Sequence, residues 1–160
     1  MVKIECVSDG VVTIDADSLE GANLDGLNLH RALLDGANMR KSSLVGTNLR
    51  NACLNGADLR HANLSSAALM VAGLNGALLS NADLSYSRPI AAFFLKADLR
   101  GANLEGADMA GAKLMEARLE GANLRCERLD TADVDGAVYD SATQWPDGYI
   151  PDDHGAILKD

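Results

Sequence analysis

Apolar residues return every five positions over most of this chain. Written in fives from Asp17, it reads DSLEG, ANLDG, LNLHR, ALLDG and onward to AVYDS at 137–141, in 25 consecutive units. Ala holds the first place in 19 units and Leu the third place in 19, while the second place favours Asn or Asp and the fifth Gly. A period of five fits neither the 3.6 of a helix nor the 2 of a strand. A helix would spread those leucines around its whole circumference. The spacing instead predicts a chain that turns a corner every five residues. Each side then sends one small and one large apolar side chain inward, and stacked turns bury them as a column.

The spelling A(N/D)LxG, as in ANLDG at 22–26 and ANLEG at 102–106, resembles the pentapeptide repeat family across residues 17–141. The resemblance implies an all-β fold, a right-handed quadrilateral parallel β-helix with four units per turn and about six turns. At ~4.8 Å per stacked layer the coil would be about 30 Å long. Third-place residues twenty apart should then stack inside in four columns, headed by Leu19, Leu24, Leu29 and Leu34. Three segments follow: 1–16 as an N-terminal cap strand or hairpin, 17–141 as the β-helix, and 142–160 as a C-terminal cap and acidic tail. Closely packed columns leave no room for a ligand between them.

One stretch, SYSRPIAAFFLK at 85–96, loses the spelling but keeps the register. Pro89 and Phe94 stand in third places as a core defect. Pro89 has no N–H to give a ladder rung, and Phe94, larger than Leu, is expected to fill the space beside it. Ile90, Phe93 and Leu95 fall at outward places. Met70, beside Val71, lies one turn from Ile90, and Met115 one turn from Leu95. Leu33 and Cys53 occupy second places on the same side as Phe93. These residues predict an apolar patch across the third and fourth sides. A contiguous patch points to a protein partner or a second copy of the chain; the alternative is a tolerated defect.

An open β-helix end is an exposed sheet edge. The segments VKIECV and VVTID around SDG read as two short strands. Val12 and Ile14 also fit first and third places, which would start the coil before Asp17. At the other end, YDSATQWPDGYIPDDHGAILKD carries the only Trp, and Trp145, Tyr149 and Ile150 are expected to plug the core. This tail resembles the closing segment of cyanobacterial pentapeptide repeat proteins. Glu127 falls at an inward first place, so either the coil opens there or Glu127 has a buried partner.

The family includes gyrase-protecting DNA mimics, and a net charge of −9 invites that comparison. Yet residues 19–129 hold 12 Lys and Arg against 11 Asp and Glu, while residues 130–160 hold eight acids and one base. Duplex DNA carries about one negative charge per 1.7 Å, and nearly neutral walls do not imitate it. The leucine interior also departs from the Phe-rich centres of the gyrase-protecting members. His30, His61 and His154 have no metal-ligand spacing, and both His30 and His61 should face solvent. Cys6, Cys53 and Cys126 form no CxxC. No catalytic group, cofactor or metal is expected. No signal-peptide stretch or membrane-length apolar run opens the chain, which places it in the cytoplasm. The sequence reads as a non-catalytic, rigid protein-binding or scaffold module. It meets a protein partner unknown to the sequence, with a homodimer possible and no direct nucleic acid or membrane binding. The alternative is a DNA-mimic modulator of a type II topoisomerase.

Overall fold

The computed structural model describes residues 1–7 and 9–159. Ser8 of the SDG segment and Asp160 of the acidic tail lie outside these described residues. From residue 17 onward the chain coils with a twenty-residue period. Residues at second places bridge in parallel to those twenty further on, as Asn23 does to Ser43 and Ser43 to Asn63. Four units therefore complete a turn, and the coil has four sides.

The backbone explains the five-residue period. A third-place N–H donates to the second-place carbonyl of the next turn, as Leu24 does to Ser43 at 2.7 Å. The second-place N–H donates back to the previous turn, as Ser43 does to Ala22 at 2.9 Å. At each corner the first-place N–H reaches back three residues, as Ala32 does to Leu29 at 3.1 Å. That bond closes a β-turn whose third residue, the fifth place, has positive φ. Glycine takes that conformation freely, yet Val71 adopts φ 57° and Tyr86 φ 55° there. The rungs are so short that only single bridges form along the walls.

First and third places make the core. Leu24, Leu64, Leu104 and Phe94 are wholly buried, as are Ala57, Ala77 and Ala97. Hydroxyls substitute for Ala where they can bond to a carbonyl: Ser42 donates to Met39 at 2.7 Å, Thr47 to Leu24 at 2.8 Å and Ser87 to Leu84 at 2.6 Å. Pro89 is buried in its third place. Leu69, its counterpart one turn earlier, donates to Arg88 at 3.1 Å. Pro89 has no such hydrogen to give, and among the described residues Arg88 bridges Ala68 but not Asp108.

Two expectations about register are corrected. Val12 and Ile14 do not begin the coil. They belong to β2 (Gly10–Ile14), which pairs antiparallel with β1 (Val2–Cys6). Strand β1 occupies the edge that Val12 would have needed: Leu33 N–H donates to Glu5 at 2.8 Å, and Cys6 bridges Ala32 antiparallel. Glu127 is not inward. Cys126 N–H bonds Leu124 at 2.7 Å, which shortens that corner by one residue. Glu127 then stands in a second place, bridged to Asp108, and is exposed. Arg128, at φ 55°, restores the lost residue ahead of a 3-10 turn at Leu129–Thr131. By Asp133 the twenty-residue offset has returned, since it bridges Lys113.

Beyond residue 141 the ladder continues. Gln144 bridges Asn123, and β3 (Val138–Tyr139) pairs in parallel with β4 (Ile157–Leu158). Between them lies a second 3-10 turn, Pro151–His154.

Candidate functional site

The outer surface has its own grammar. A second-place Asn or Asp accepts the N–H two residues on, as Asn23 does from Asp25 at 2.9 Å and Asp83 from Ser85 at 2.9 Å. This Asx turn satisfies the fourth-place N–H that faces away from the ladder, and it explains the preference for Asn and Asp. The fourth side, whose core column contains Leu34, Leu54, Leu74 and Phe94, solves the problem differently. There the side chains at fourth places reach along the axis: Asp35 Oδ1 accepts from Asn55 N–H at 2.7 Å, Asn55 Oδ1 from Asn75 at 3.1 Å, and Asn75 Oδ1 from Leu95 at 3.0 Å. The Asn55 amide also donates to Asp35 at 3.1 Å. Asp25 serves Val45 in the same way at 2.8 Å, where Ser43 holds the second place.

That transfer frees the second places at Cys53, Gly73 and Phe93, while Asp133 further along still accepts from Asp135 N–H at 3.3 Å. The second places of the fourth side read Leu33, Cys53, Gly73, Phe93, Lys113 and Asp133, each bridged to the next. Leu33 is 50% exposed and Phe93 42%. Gly73 has ordinary φ; it is small because a Cβ there would sit 3.1 Å from the Asn55 amide. The sequence signal for this side was the move of Asn and Asp from second to fourth places along one column.

Of the six residues expected in the apolar patch, Val71, at the corner leading into the fourth side, is 46% exposed and Phe93 is open to solvent. Met70, Ile90, Leu95 and Met115 are half-buried, because fourth-place side chains lie against the neighbouring turns. Tyr86, which sequence reasoning passed over, is the most exposed aromatic at 64%. Its ring lies against Gly106, where an added Cβ would stand 2.6 Å from a ring carbon. No periodic signal marks it.

The walls carry charge in matched pairs. Arg60 bonds Asp58 at 2.5 Å, Arg100 bonds Asp98 at 2.6 Å, Arg118 bonds Glu120 at 3.0 Å, and Arg128 bonds Asp108. Hydrogen bonding from the guanidinium holds the Asp58, Asp98 and Asp108 carboxyls below their ordinary range. His30 is half-buried rather than fully solvated, because its Nδ1 meets Asp9 at 2.9 Å. His61 is exposed.

At the C-terminal end Tyr139, Trp145, Tyr149 and His154 form a run of rings. Tyr139 meets Trp145 edge-on at 5.2 Å, Trp145 stacks on Tyr149 at 5.3 Å, and Tyr149 on His154 at 4.5 Å. Trp145 and Tyr149 pack against the core, but Ile150 does not join them. It is 56% exposed, held outward in extended conformation before Pro151 opens its turn. Burial pushes the Tyr149 hydroxyl up to about 12 and the Cys126 thiol likewise to about 12. Beside them is a cavity of about 370 Å³, between residues 126–130 and 146–154. Among the described residues, no cluster of His, Cys, Asp and Glu could hold a metal ion, and no helix is long and apolar enough to cross a membrane.

A family model for pentapeptide repeats matches the chain in eight copies, over 18–51, 42–69 and 94–125. The chain belongs to the pentapeptide repeat family. The right-handed β-helix of that family is thus its fold. No curated protein sequence matches. Among solved structures, the chain is similar to HetL, a pentapeptide repeat protein involved in heterocyst differentiation regulation from the cyanobacterium Nostoc sp. strain PCC 7120. That likeness has 27% identity over 86% of this chain and 73% of HetL, with a TM-score of 0.51. Alr5209, a pentapeptide repeat protein from Nostoc PCC 7120, is 34% identical over 76% of this chain and 84% of its own, with a TM-score of 0.42. QnrB1, a plasmid-mediated fluoroquinolone resistance protein, is 13% identical over 88% of this chain and 86% of its own, with a TM-score of 0.47. Several of these pentapeptide repeat relatives are cyanobacterial.

Proposed function

We propose that this pentapeptide repeat protein is a non-catalytic, rigid binding or scaffold module that presents its fourth side to a protein partner. The observation behind the reading is the relocated Asn/Asp ladder. It satisfies the N–H groups of Asn55, Asn75 and Leu95 from fourth places and so leaves the second places free at Cys53, Gly73 and Phe93, in line with the exposed Leu33. A β-branched residue in the left-handed region is an outlier, and Val71 adopts that conformation at the corner beside this strip. Strain kept at an exposed apolar position fits a surface held for contact rather than for stability. The hairpin at one end and the aromatic run at the other act as caps on a coil of about six turns. The matched ion pairs on the walls favour this reading over a DNA mimic, since paired charges present no continuous anionic stripe.

The test is light scattering of the wild type beside a variant carrying Phe93→Ser and Val71→Asn. Asn suits the corner, because Asn51 already holds the same place one turn earlier at φ 55°. A dimer converted to a monomer makes the strip a self-association surface. If both are monomers, affinity capture from cells should recover a protein with the wild type and lose it with the variant. Equal mass and equal capture for the two proteins would refute the proposal.

A further inference from the structure

We propose that the groove at the C-terminal end binds a cationic side chain, a guanidinium or primary ammonium carried on a short apolar stem. The groove lies at the register slip. The shortened corner at Cys126 and the residue returned at Arg128 form one of its walls. The segment 146–154 forms the facing wall, folded on itself by the Tyr149 N–H bond to Pro146 at 3.0 Å. The space enclosed is about 370 Å³, at the small end of ligand sites and sized for a side chain rather than a large cofactor.

Its chemistry is one-sided. Asp130, Asp147 and Asp153 line it, and none of the three makes an ion pair among the described residues. Arg128 and His154 line it too; Nε and Nη2 of Arg128 are bonded to the Asp108 carboxylate, and His154 is stacked on Tyr149. The net field inside is therefore negative, and over the width of such a groove salt screens it little, the Debye length being about 8 Å at physiological ionic strength. Tyr149 lines the same wall, and its hydroxyl is buried without a hydrogen-bond partner among the described residues. Cys126 and Leu129 supply apolar surface for the stem. The groove is separate from the Phe93 strip, and the proposal does not rest on that reading.

Trp145 reports on the site, since it is the only Trp and its ring stacks on Tyr149 at 5.3 Å. Its emission would be followed during titration with acetyl-arginine methylamide, with the isosteric neutral acetyl-citrulline methylamide, and with agmatine. The full chain is used throughout. The expected result is a saturable change with the arginine probe, absent with citrulline, and weakened at least ~10-fold by Asp130→Asn with Asp153→Asn. Both aspartates are exposed, so the variant should keep its fold, and circular dichroism checks this. Tighter binding of capped arginine than of agmatine marks a polypeptide side chain as the occupant; the reverse marks a free guanidine. No saturable change, an equal response to citrulline, or an unchanged affinity in the folded double variant would each overturn the proposal.

Discussion

Gly73→Ala tests the axial amide ladder, because the structure makes its effect depend on a second residue. Gly73 lies at ordinary φ, so Ala meets no backbone strain, and such a change commonly adds about 0.4–1 kcal/mol by restricting the unfolded chain. Here the new Cβ would stand 3.1 Å from Asn55 Oδ1 and 3.2 Å from its Nδ2. The amide must swing away, weakening its bond from Asn75 N–H at 3.1 Å and its bond to Asp35 at 3.1 Å. Each such bond contributes about 0.5–1.5 kcal/mol net, nearer the low end on a wet surface. The two effects roughly cancel, so Gly73→Ala alone should move stability by less than ~0.5 kcal/mol. In an Asn55→Ala background the clash is gone, and the same change should stabilise by about 0.4–1 kcal/mol. Urea unfolding of the four proteins gives the coupling, expected near 1 kcal/mol. Coupling below ~0.3 kcal/mol, the ordinary additivity error, would refute the account of why glycine stands there and of the ladder itself.

Phe94→Ala should cost about 3–5 kcal/mol in the same assay, because Phe94 is wholly buried and the columns beside it cannot collapse into the gap. Cys126 should resist alkylation: with its thiol held near 12, iodoacetamide at pH 8.5 should modify it at least ~100-fold more slowly than in the urea-unfolded chain, as followed by mass spectrometry. Cys126 and Tyr149 both have raised values in the fold. Their contribution to stability is therefore intact below the unfolded values, ~8.5 and ~10, and is lost as pH rises toward 12. Thermal midpoints between pH 8 and 11 should fall accordingly, and less steeply for Cys126→Ala. Asp58, Asp98 and Asp108 act in the opposite sense. Their contribution is present above ~4 and is lost on acidification, so midpoints measured from pH 5 down to 3 should also drop.

The columns were legible because each side of the coil repeats one steric demand, and Leu with Ala meets it unit after unit. The second-place Asn and Asp were legible as backbone acceptors for the same reason. The slip was not. It removes a residue at Cys126 and returns one at Arg128, so Leu124 and Leu129 remain five apart and the period passes through undisturbed. Val12 and Ile14 had the right phase, but phase cannot tell a parallel coil from an antiparallel hairpin; β1 competes for the same edge and takes it. Ile150 had the right chemistry for a plug, yet the chain direction before Pro151 turns it outward. The groove lies beside the slip and was hidden with it.

The twenty-residue offset between stacked turns makes the molecule a ruler. Its graduations are about 4.8 Å apart. Duplicating or deleting one whole turn between Phe93 and Cys126 would slide the groove along the axis relative to the apolar strip without rotating it. Duplicating a single five-residue unit would instead swing the groove by roughly a quarter of a circle. Two contact points on such a coil can thus be reset in distance or in direction, each in fixed steps and each without touching the residues that make the contacts.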